Sequence, residues 1–488
     1  MLPWKSIIQL QKEGDCPVYL QIANAISLEI KKGHLGPGVK LPGSRQLSEL
    51  LDVHRITVVR AYEELDAQGW IELRPSQGSF TSTKLPEINP RQLNGKQRPH
   101  TFAAATGYTV PVNQFIKNPV TPNRHIPGFH DGPDPRLIPV NDIAKAFRSV
   151  LLKKVNLKYT SYVDVAGVTR FRNILSNYLN DTRGLQTTFE NILISRGSTM
   201  GLYLLTRVLF TKGDTVVVGE TNYYYADRTF LNAGMELQRV PVDDCGIDVD
   251  AVETLCKQKK IKAIYITSHH HYPTTVTLSA PRRIRLLSLA EQYGFMIIED
   301  DYDYDYHYLS SPILPLVSSD TKGMVVYIGT LSKTISPAMR TGYIIAPPNL
   351  ILELARLRQI VDGQGDPILE LALCDLYEDG TIKRLMKKSL QEYRVRRDFL
   401  CENLATRFAG LIDFRVPDGG LAVWARFDPA HPLPQLSERM KNQGFILPNG
   451  LIHNTTPTTL NATRLGFGFM NLEESAKALN ILEKLMKP

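Results

Sequence analysis

Hydrophobic positions near the start of the chain recur first at helical spacing and then in short strand-like runs. The pattern predicts three helices and two strands, over residues 17–32, 44–51, 55–68, 69–74 and 78–81. Gly33 ends the first helix, Ser44 is the expected N-cap of the second, and residues 52–54 form a tight connection into the third. Three helices followed by a hairpin is the element order of a winged helix-turn-helix.

Beyond residue 132 the pattern changes to short, continuous apolar runs separated by helical stretches. The runs cover residues 192–194, 215–218, 263–266, 295–298 and 324–328. Such β-branched runs predict a mainly parallel sheet that helices cover on both faces. Several runs end in polar or small residues, among them Ser195, Asp300 and Thr330. Ligands bind at the carboxyl ends of strands in open α/β sheets, so these residues outline one expected site.

The length of 488 residues, with 43% hydrophobic and 22% charged residues, is typical of a globular protein with more than one domain. Residues 85–128 are rich in Pro, Asn, Gln and Thr and show no periodicity, as expected of a linker. We therefore predict a winged helix-turn-helix domain over 1–84, a linker over 85–128 and an α/β domain over 129–488.

Positive charge is concentrated in the predicted linker. The chain has a formal net charge of +8, and residues 85–128 contribute five basic residues less one acidic residue, or +4. The charged residues of the linker are Glu87, Arg91, Lys96, Arg98, Lys117 and Arg124. Residues 1–84 are nearly balanced, with 10 basic and 9 acidic residues. A polyanionic partner is favoured, although total charge alone would not locate the DNA-binding region.

The cysteines favour a reducing compartment. There are five, they lie far apart in the chain, and no Cys-x-x-Cys pair occurs, so neither a disulfide framework nor a zinc site is indicated. The first residues lack the apolar core of a signal peptide, and no run of about 18 apolar residues occurs. We expect a soluble, cytoplasmic protein without a membrane segment.

The third predicted helix has the residues of a DNA-recognition helix. Basic and polar groups cluster at its start and in the neighbouring segments, and the expected DNA contacts are Arg45, His54, Arg55, Thr57, Arg60, Gly78 and Ser79. A small helical interaction module with solvated arginines would show the same periodicity. Residues 17–22, 41–48, 58–65 and 78–80 nevertheless resemble the winged-helix domain of GntR-type bacterial repressors. Asp52 stands where that family has Gly, and Asp tolerates a left-handed backbone.

Lys333 is the candidate for covalent cofactor attachment. It follows a predicted strand and small hydroxylated residues, including Thr330 and Ser332, and could form a Schiff base with an aldehyde. Most lysines are solvated surface groups, so the neighbouring residues matter. Asp300 ends an apolar strand, where a protonated pyridine nitrogen would give the carboxylate a cationic partner. Tyr302 would point the same way and could bind a ring hydroxyl.

A candidate phosphate site lies between a predicted strand and a helix. The segment Gly197-Ser198-Thr199 could present backbone amides at a helix N-terminus. Arg340, seven residues after Lys333, could bind the same phosphate bidentately, and Tyr223 could stack on a ring. Lysine, carboxylate, phosphate cup and aromatic lid are the parts that pyridoxal 5'-phosphate requires.

The residues of this site resemble the fold-type I aminotransferases. The resemblance rests on segments 273–274, 299–302, 332–343 and 464–467. Joined to the winged helix, they make the chain similar to the MocR subfamily of GntR-type regulators, over residues 17–83 and 128–485. That similarity implies an α/β fold, in which a winged helix-turn-helix precedes an aminotransferase-like domain with a mainly parallel sheet and a small C-terminal α+β subdomain.

The resemblance also implies functional residues. Lys333 would hold pyridoxal phosphate, Asp300 would pair with its ring nitrogen and Tyr302 with its hydroxyl. Arg464 matches the arginine that binds the carboxylate of an amino compound, and His270 aligns with a histidine near the cofactor. Tyr162 matches a tyrosine that reaches the phosphate of the neighbouring subunit. The resemblance therefore implies a homodimer, with a DNA-binding domain over 1–84 and an effector and dimerisation domain over 129–488.

Two positions depart from the aminotransferase pattern. Tyr272 stands where aminotransferases have Asn, as MocR proteins often have an aromatic residue there, and Thr275 replaces a Gly. Loss of that Asn removes a hydrogen bond to the ring hydroxyl and argues against efficient transamination. The adjacent residues 269–271 are all histidines, but neighbours on an extended chain point to opposite faces, so we expect no metal site.

Three functions follow from these patterns. The first is a transcriptional regulator of an operator in double-stranded DNA, in which Lys333 senses pyridoxal phosphate itself or an amino compound held by Arg464. The second is an active pyridoxal-phosphate-dependent aminotransferase that carries a DNA-binding domain. The third, a dimerisation platform alone, is disfavoured because every main cofactor position is filled. We expect a regulator rather than an enzyme, with a residual transaminase half-reaction left open.

Overall fold

The structure, a computed structural model, describes residues 3–11, 16–85, 105–111, 126–308, 313–455 and 460–487. The chain divides into two compact units, Met1–Val112 and Asn113–Pro488. The charged residues of the predicted linker, between Glu87 and Arg124, lie outside the described residues. No helix in the described part of the chain is long and apolar enough to span a membrane.

The first unit has the predicted order of three long helices and a hairpin, preceded by one short helix. Its elements are α1 (Trp4–Ile7), α2 (Val18–Lys31), α3 (Ser44–Leu51), α4 (Arg55–Ala67), β1 (Ile71–Arg74) and β2 (Gly78–Thr81). Strands β1 and β2 pair antiparallel, and Ile22, Ile26 and Val58 are among the buried residues of one apolar core. Ser44 was expected to be the N-cap of α3, and this is wrong: Gly43 holds that position and Ser44 begins the helix. Asp52 adopts the left-handed conformation, with φ of 51°.

The second unit is built on a seven-stranded sheet. The strands of the sheet are β3 (Ile192–Ser195), β4 (Thr215–Gly219), β5 (Glu236–Val240), β8 (Ala263–Ile266), β9 (Met296–Asp301), β10 (Val325–Thr330) and β11 (Gly342–Ile345). A separate two-stranded sheet consists of β6 (Val242–Asp243) and β7 (Gly246–Ile247). The order in the sheet is β3-β11-β10-β9-β8-β4-β5, and β11 runs antiparallel to the other six strands. The predicted mainly parallel sheet is confirmed.

Helices cover both faces of this sheet. They are α5 (Val140–Leu152), α6 (Thr169–Arg183), α7 (Ser198–Leu209), α8 (Tyr224–Asn232), α9 (Val249–Gln258), α10 (Ala280–Tyr293), α11 (Pro348–Val361) and α12 (Pro367–Glu378). Alternate residues of one strand enter different cores: Ile192 and Ile194 pack with α6 and α12, whereas Leu193 packs with α7 and α11. The alternation explains why the strands read as continuous apolar runs.

A smaller α+β subdomain follows, as the resemblance implied. Its elements are α13 (Thr381–Arg407), β12 (Ile412–Phe414), β13 (Ala422–Phe427), α14 (Leu433–Asn442), β14 (Ala462–Gly466) and α15 (Leu472–Met486). The three strands form an antiparallel sheet in the order β12-β13-β14, and the helices bury their apolar faces against it. Strand β14 places Arg464 opposite Trp424 of β13.

Candidate functional site

The carboxyl ends of β9 and β10 bring the central predicted residues into one region. Asp300 lies in β9 directly opposite Ile328 of β10, since the two parallel strands pair in register. Lys333 follows β10 by three residues, in the turn that leads towards β11. The parallel register therefore places the loop that contains the lysine beside the strand that contains the carboxylate.

Asp300 is a buried carboxylate with one oxygen left over. Its Oδ2 accepts a hydrogen bond of 2.8 Å from Tyr265, whereas its Oδ1 is buried and finds no hydrogen-bond partner among the described residues. Desolvation raises the pKa of Asp300 to about 6, and the hydrogen bond from Tyr265 opposes that rise. A buried acceptor without a partner is costly, so this side of the carboxylate suits a cationic hydrogen-bond donor.

Tyr302 and Lys333 lie close together beyond the strand end. The Lys333 amine is 5.6 Å from the centre of the Tyr302 ring. The Tyr302 hydroxyl donates to the backbone oxygen of His270 at 2.9 Å, and the Tyr306 hydroxyl donates to the backbone oxygen of Lys333 at 2.8 Å. The lysine backbone is thus fixed by a buried tyrosine, while its side chain reaches towards the Tyr302 face.

The lysine amine also contacts a residue that sequence reasoning missed. Lys333 Nζ donates a short hydrogen bond to the backbone oxygen of Asp131, and it lies 3.8 Å from the Asp131 carboxylate. Asp131 precedes the helical part of the second unit, in a loop with no apolar periodicity. No spacing rule links it to Lys333 across about 200 residues of chain.

Gly197 and Arg340 form the predicted anion-binding corner. Gly197 is the N-cap of α7 with φ of 80°, so Ser198 and Thr199 form the first helical turn. A Cβ atom at Gly197 would lie only 2.7 Å from Arg340 Nη2, so a side chain there would displace the guanidinium, and the positive φ independently favours glycine. Arg340 is exposed and donates to the backbone oxygen of Arg196 at 3.1 Å.

The hydroxyls before the lysine complete this corner. Thr330 donates through Oγ1 to the Thr341 backbone oxygen at 3.3 Å and accepts from the Ser332 backbone amide at 3.1 Å. The Ser332 Oγ is buried and has no partner in the part of the chain that the structure describes. It is a second polar atom, besides Asp300 Oδ1, that is left available in this region.

Aromatic rings line the space between Asp300 and Arg464. The Tyr223 ring centre is 5.1 Å from that of Tyr272, which in turn is 6.1 Å from that of Tyr302. The Arg464 guanidinium lies 4.6 Å above the Tyr272 ring and donates to the Pro273 backbone oxygen at 3.1 Å. Desolvation raises the pKa of Tyr272 and of Tyr223, so both phenols stay neutral at physiological pH. Tyr272 therefore supports Arg464 by a cation–π contact, at the position where aminotransferases have Asn.

His270 contacts the site through its backbone, and its ring pairs elsewhere. The imidazole Nδ1 lies 2.8 Å from the Asp303 carboxylate, and both side chains are buried. His269 instead packs against Tyr304, with ring centres 4.4 Å apart, while His271 contacts the Thr221 backbone oxygen at 2.9 Å. The three consecutive histidines thus face different partners, and no metal-holding group of three such ligands occurs among the described residues.

Tyr162, expected to serve a neighbouring subunit, is exposed over 92% of its surface. Other large apolar side chains nearby are also exposed, namely Leu151, Leu152, Val155 and Leu157. This side chain makes no contribution to the Lys333 region of its own chain that the structure records. Its exposure fits a role in trans.

The winged helix presents the predicted DNA contacts on its outer surface. Helix α4 buries Val58, Ala61 and Leu65, which leaves the opposite face to solvent. The exposed predicted residues are Arg45, His54, Arg55, Arg60 and Gly78, while Thr57 and Ser79 are half-buried. Arg55 Nε donates to Ser44 Oγ at 3.3 Å, which links the start of α4 to the start of α3.

Comparison with known proteins identifies both units. Residues 131–482 match the class I and II aminotransferases, and residues 18–81 match the gntR family of bacterial regulatory proteins. The chain belongs to the class I and II aminotransferase family and has a gntR-type domain at its N-terminal side. This combination confirms the MocR-type organisation predicted from the motifs.

Regulators match nearly the whole chain, and aminotransferases match its larger part. The HTH-type transcriptional regulator YdfD of Bacillus subtilis (strain 168) is 27% identical over 484 residues, which cover 98% of each chain. The probable rhizopine catabolism regulatory protein MocR of Rhizobium meliloti is 27% identical over 434 residues, 87% of this chain and 84% of the relative. The crystal structure of an archaeal alanine:glyoxylate aminotransferase has a TM-score of 0.70 at 29% identity, over 74% of this chain and 90% of that one.

The aminotransferase family implies a pyridoxal phosphate cofactor, and the residues present fit one. Asp300 Oδ1 is a buried acceptor without a partner among the described residues, as a protonated ring nitrogen requires. Gly197 and the Arg340 guanidinium lie together at the N-terminus of α7, where backbone amides and a cation can bind an anion. Donor, acceptor and amine thus occur together at one edge of the sheet.

Proposed function

We propose that the chain is a pyridoxal-phosphate-dependent, DNA-binding transcriptional regulator. Its aminotransferase-like domain senses pyridoxal phosphate itself, or an amino compound that reacts at Lys333. One observation carries the proposal: a single chain combines an exposed recognition helix bearing Arg55 and Arg60 with the buried Asp300 carboxylate beside the Lys333 loop. The names of the regulators that match nearly the whole chain support it.

The cofactor residues have separate tasks in this proposal. Lys333 attaches the cofactor, and Asp300 keeps a proton on its ring nitrogen through the free Oδ1. Tyr302 forms a hydrogen bond with the ring hydroxyl of the cofactor, and the Tyr223 ring stacks on the cofactor ring. The phosphate is held by Gly197, Ser198, Thr199, Thr330, Ser332 and Arg340, with Tyr162 of a second copy. When bound, pyridoxal phosphate supplies an aldehyde that condenses with amines and a ring that withdraws electrons.

Arg464 and His270 complete the proposed sensing site. Arg464 holds the carboxylate of the amino compound, because its guanidinium is buried and braced by the Tyr272 ring and Pro273. His270 positions Tyr302 through its backbone oxygen. Tyr272 and Tyr302 therefore both lie against the ligand-binding region. Contact with a ligand is in this way coupled to the geometry around Lys333.

The DNA-binding domain is proposed to bind double-stranded operator DNA. Arg55, Thr57 and Arg60 offer side chains to the major groove, and Arg45, His54, Gly78 and Ser79 contact the backbone. We propose a homodimer acting in the bacterial cytoplasm, in which residues 85–128 link domains over 1–84 and 129–488. Ligand binding changes operator affinity only if it favours one arrangement of the two DNA-binding domains.

An active aminotransferase with a DNA-binding domain is the second candidate. The favouring observation is that Lys333, Asp300, Arg340 and Arg464 are all present, as turnover also requires. Sensing is preferred because Tyr272 braces Arg464 in the place of the Asn that would bind the ring hydroxyl. Continuous release of an oxo acid over many turnovers would favour the enzyme.

Cofactor attachment is tested by Lys333→Ala with Lys322→Ala as a matched control. Lys322 is exposed in the turn before β10, so its loss leaves the site intact. The wild-type and Lys322→Ala proteins should show the visible absorbance of covalently bound pyridoxal phosphate, and Lys333→Ala should lack it. Absence of that band from the wild-type protein would refute both candidate functions.

A further inference from the structure

Asp131 places a negative charge beside the proposed ligand-binding arginine. Its Oδ2 accepts from Arg464 Nε at 3.2 Å and lies 3.8 Å from Lys333 Nζ. One side chain of the protein therefore bridges Arg464, proposed to bind the ligand carboxylate, and Lys333, where the ligand amine is proposed to react. The Asp131 side chain is 38% exposed, so a small ligand can contact it.

The position of Asp131 is fixed by close backbone packing. A Cβ atom at Gly466 would lie 1.8 Å from the His130 backbone oxygen and 2.6 Å from the Asp131 amide. The Gly466 amide also donates to the Phe129 backbone oxygen at 3.1 Å. Strand β14 thus holds the Asp131 loop against Arg464 and sets the separation of the two charges.

Two neighbouring cations keep Asp131 ionised. Desolvation opposes ionisation, but Lys333 and Arg464 lower the pKa of Asp131 to about 2. Desolvation and the charge of Arg464 lower the pKa of the adjacent His453 to about 4, so that ring is neutral at pH 7. Lys333 and Arg464 are thus the cations that stabilise the Asp131 carboxylate.

A ligand carboxylate must share Arg464 with Asp131. The guanidinium has five N–H donors, of which Asp131 and Pro273 use two nitrogens, so a ligand carboxylate can bind alongside. It would then lie roughly 5 Å from the Asp131 carboxylate, at a separation where like charges repel strongly in a partly desolvated site. A ligand ammonium that approaches Lys333 comes within ion-pair range of Asp131 and offsets this repulsion.

We propose that Asp131 restricts the Arg464 site to zwitterionic amino compounds and disfavours carboxylic acids that lack an amine. The inference rests on the proposed function, because it assumes that Arg464 receives the carboxylate of the sensed compound. It also gives a physical reason for sensing over turnover. Transamination must bind an oxo acid, which brings a carboxylate without an ammonium and is repelled by Asp131.

The test compares amino acids with their deaminated counterparts in the cofactor-loaded protein. Alanine, glutamate and phenylalanine are paired with propionate, glutarate and 3-phenylpropionate, and binding is measured by calorimetry. In Asp131→Asn the three acids should bind about tenfold more tightly than in the wild type, since about 1.4 kcal/mol of repulsion is removed. The amino acids should bind no more tightly, because the variant loses their ammonium partner.

Controls separate charge from packing. Asp142→Asn removes an exposed carboxylate in the first turn of α5 and should leave all six affinities unchanged. Asp131→Glu should keep the discrimination, and Asp131→Ser provides a second neutral variant if Asp131→Asn does not fold. Acid affinities within twofold of the wild type, or equal tightening of acids and amino acids, would overturn the proposal. Failure of amino acids to alter DNA binding would instead contradict the proposed regulator and leave this selectivity standing.

Discussion

Replacing Asp300 by Asn should make the cofactor-free protein more stable at high pH and the cofactor-loaded protein less so. Burial raises the pKa of Asp300 from 3.8 to about 6, and a raised carboxyl pKa means that the folded state binds the proton more tightly than the unfolded state. At 1.36 kcal/mol per pKa unit, keeping Asp300 ionised above pH 6 costs about 3 kcal/mol of folding free energy. The cost is absent at low pH and develops as pH rises from about 4 through 6.

The side chain of Asn can still accept the hydrogen bond from Tyr265, so the pH-dependent part of the difference isolates the charge. Between pH 4 and pH 8 the free energy of unfolding of Asp300→Asn, relative to wild type, should rise by between about 2 and 3 kcal/mol. Comparison with wild type removes the similar pH dependence of Asp301, whose pKa burial raises to about 7. Urea denaturation of the cofactor-free variant and of the cofactor-free wild type measures the two free energies of unfolding at each pH.

Pyridoxal phosphate should reverse the order of stability. A protonated ring nitrogen gives the Asp300 carboxylate its missing partner, whereas Asn offers no charge to it. The rise in melting temperature on adding cofactor should therefore be several degrees smaller in Asp300→Asn. A variant without the pH-dependent gain, or with the full wild-type response to cofactor, would refute the assignment of Asp300 as a charge held for the ring nitrogen.

Three further predictions concern other parts of the chain. Arg60→Ala should weaken operator binding about tenfold in a mobility-shift titration and leave the cofactor absorbance intact, whereas Arg415→Ala, an exposed arginine of the other unit, should change neither. Gly197→Ala should weaken cofactor binding at least about tenfold because its Cβ meets Arg340. The control Gly213→Ala, which also has a positive φ, of 91°, but lies in open space, should not weaken it. Equal cofactor affinities of the two variants would contradict the proposed phosphate corner. Burial raises the pKa of Glu370 to about 7, so Glu370→Gln should gain up to about 3 kcal/mol over wild type as pH rises from 5 to 8, and a pH-independent difference would count against it.

Much of the fold could be predicted because its strands are buried on both faces. The runs at 192–194, 215–218, 263–266, 295–298 and 324–328 correspond to β3, β4, β8, β9 and β10. The edge strand β5, Glu236–Val240, was missed. Strand β11, Gly342–Ile345, was also missed, although it lies between β3 and β10. It is only four residues long and runs antiparallel, and no helical stretch separates it from Lys333, so the alternation of strands and helices gave no sign of it.

Site residues could be predicted where they lie at or after the end of a strand. Site residues whose position depends on tertiary contacts were missed. Asp300 and Lys333 lie at or after the carboxyl ends of paired parallel strands, and that topology brings them together. Tyr265 belongs to a predicted strand, and its hydroxyl inside an apolar run was the available signal that a buried partner such as Asp300 was needed. Asp131 gave no signal, because its place beside Arg464 depends on the packing of Gly466.

The central claim is that cofactor chemistry at Lys333 and operator binding are coupled in one chain. The direct measurement is one titration of an amino compound in which cofactor absorbance and the fluorescence anisotropy of a labelled operator are followed together. Coupling is reciprocal, so both signals should change with the same midpoint, and Lys333→Ala should lose both responses to the compound while retaining DNA binding. An operator affinity that stays constant while the absorbance changes to completion would contradict the account.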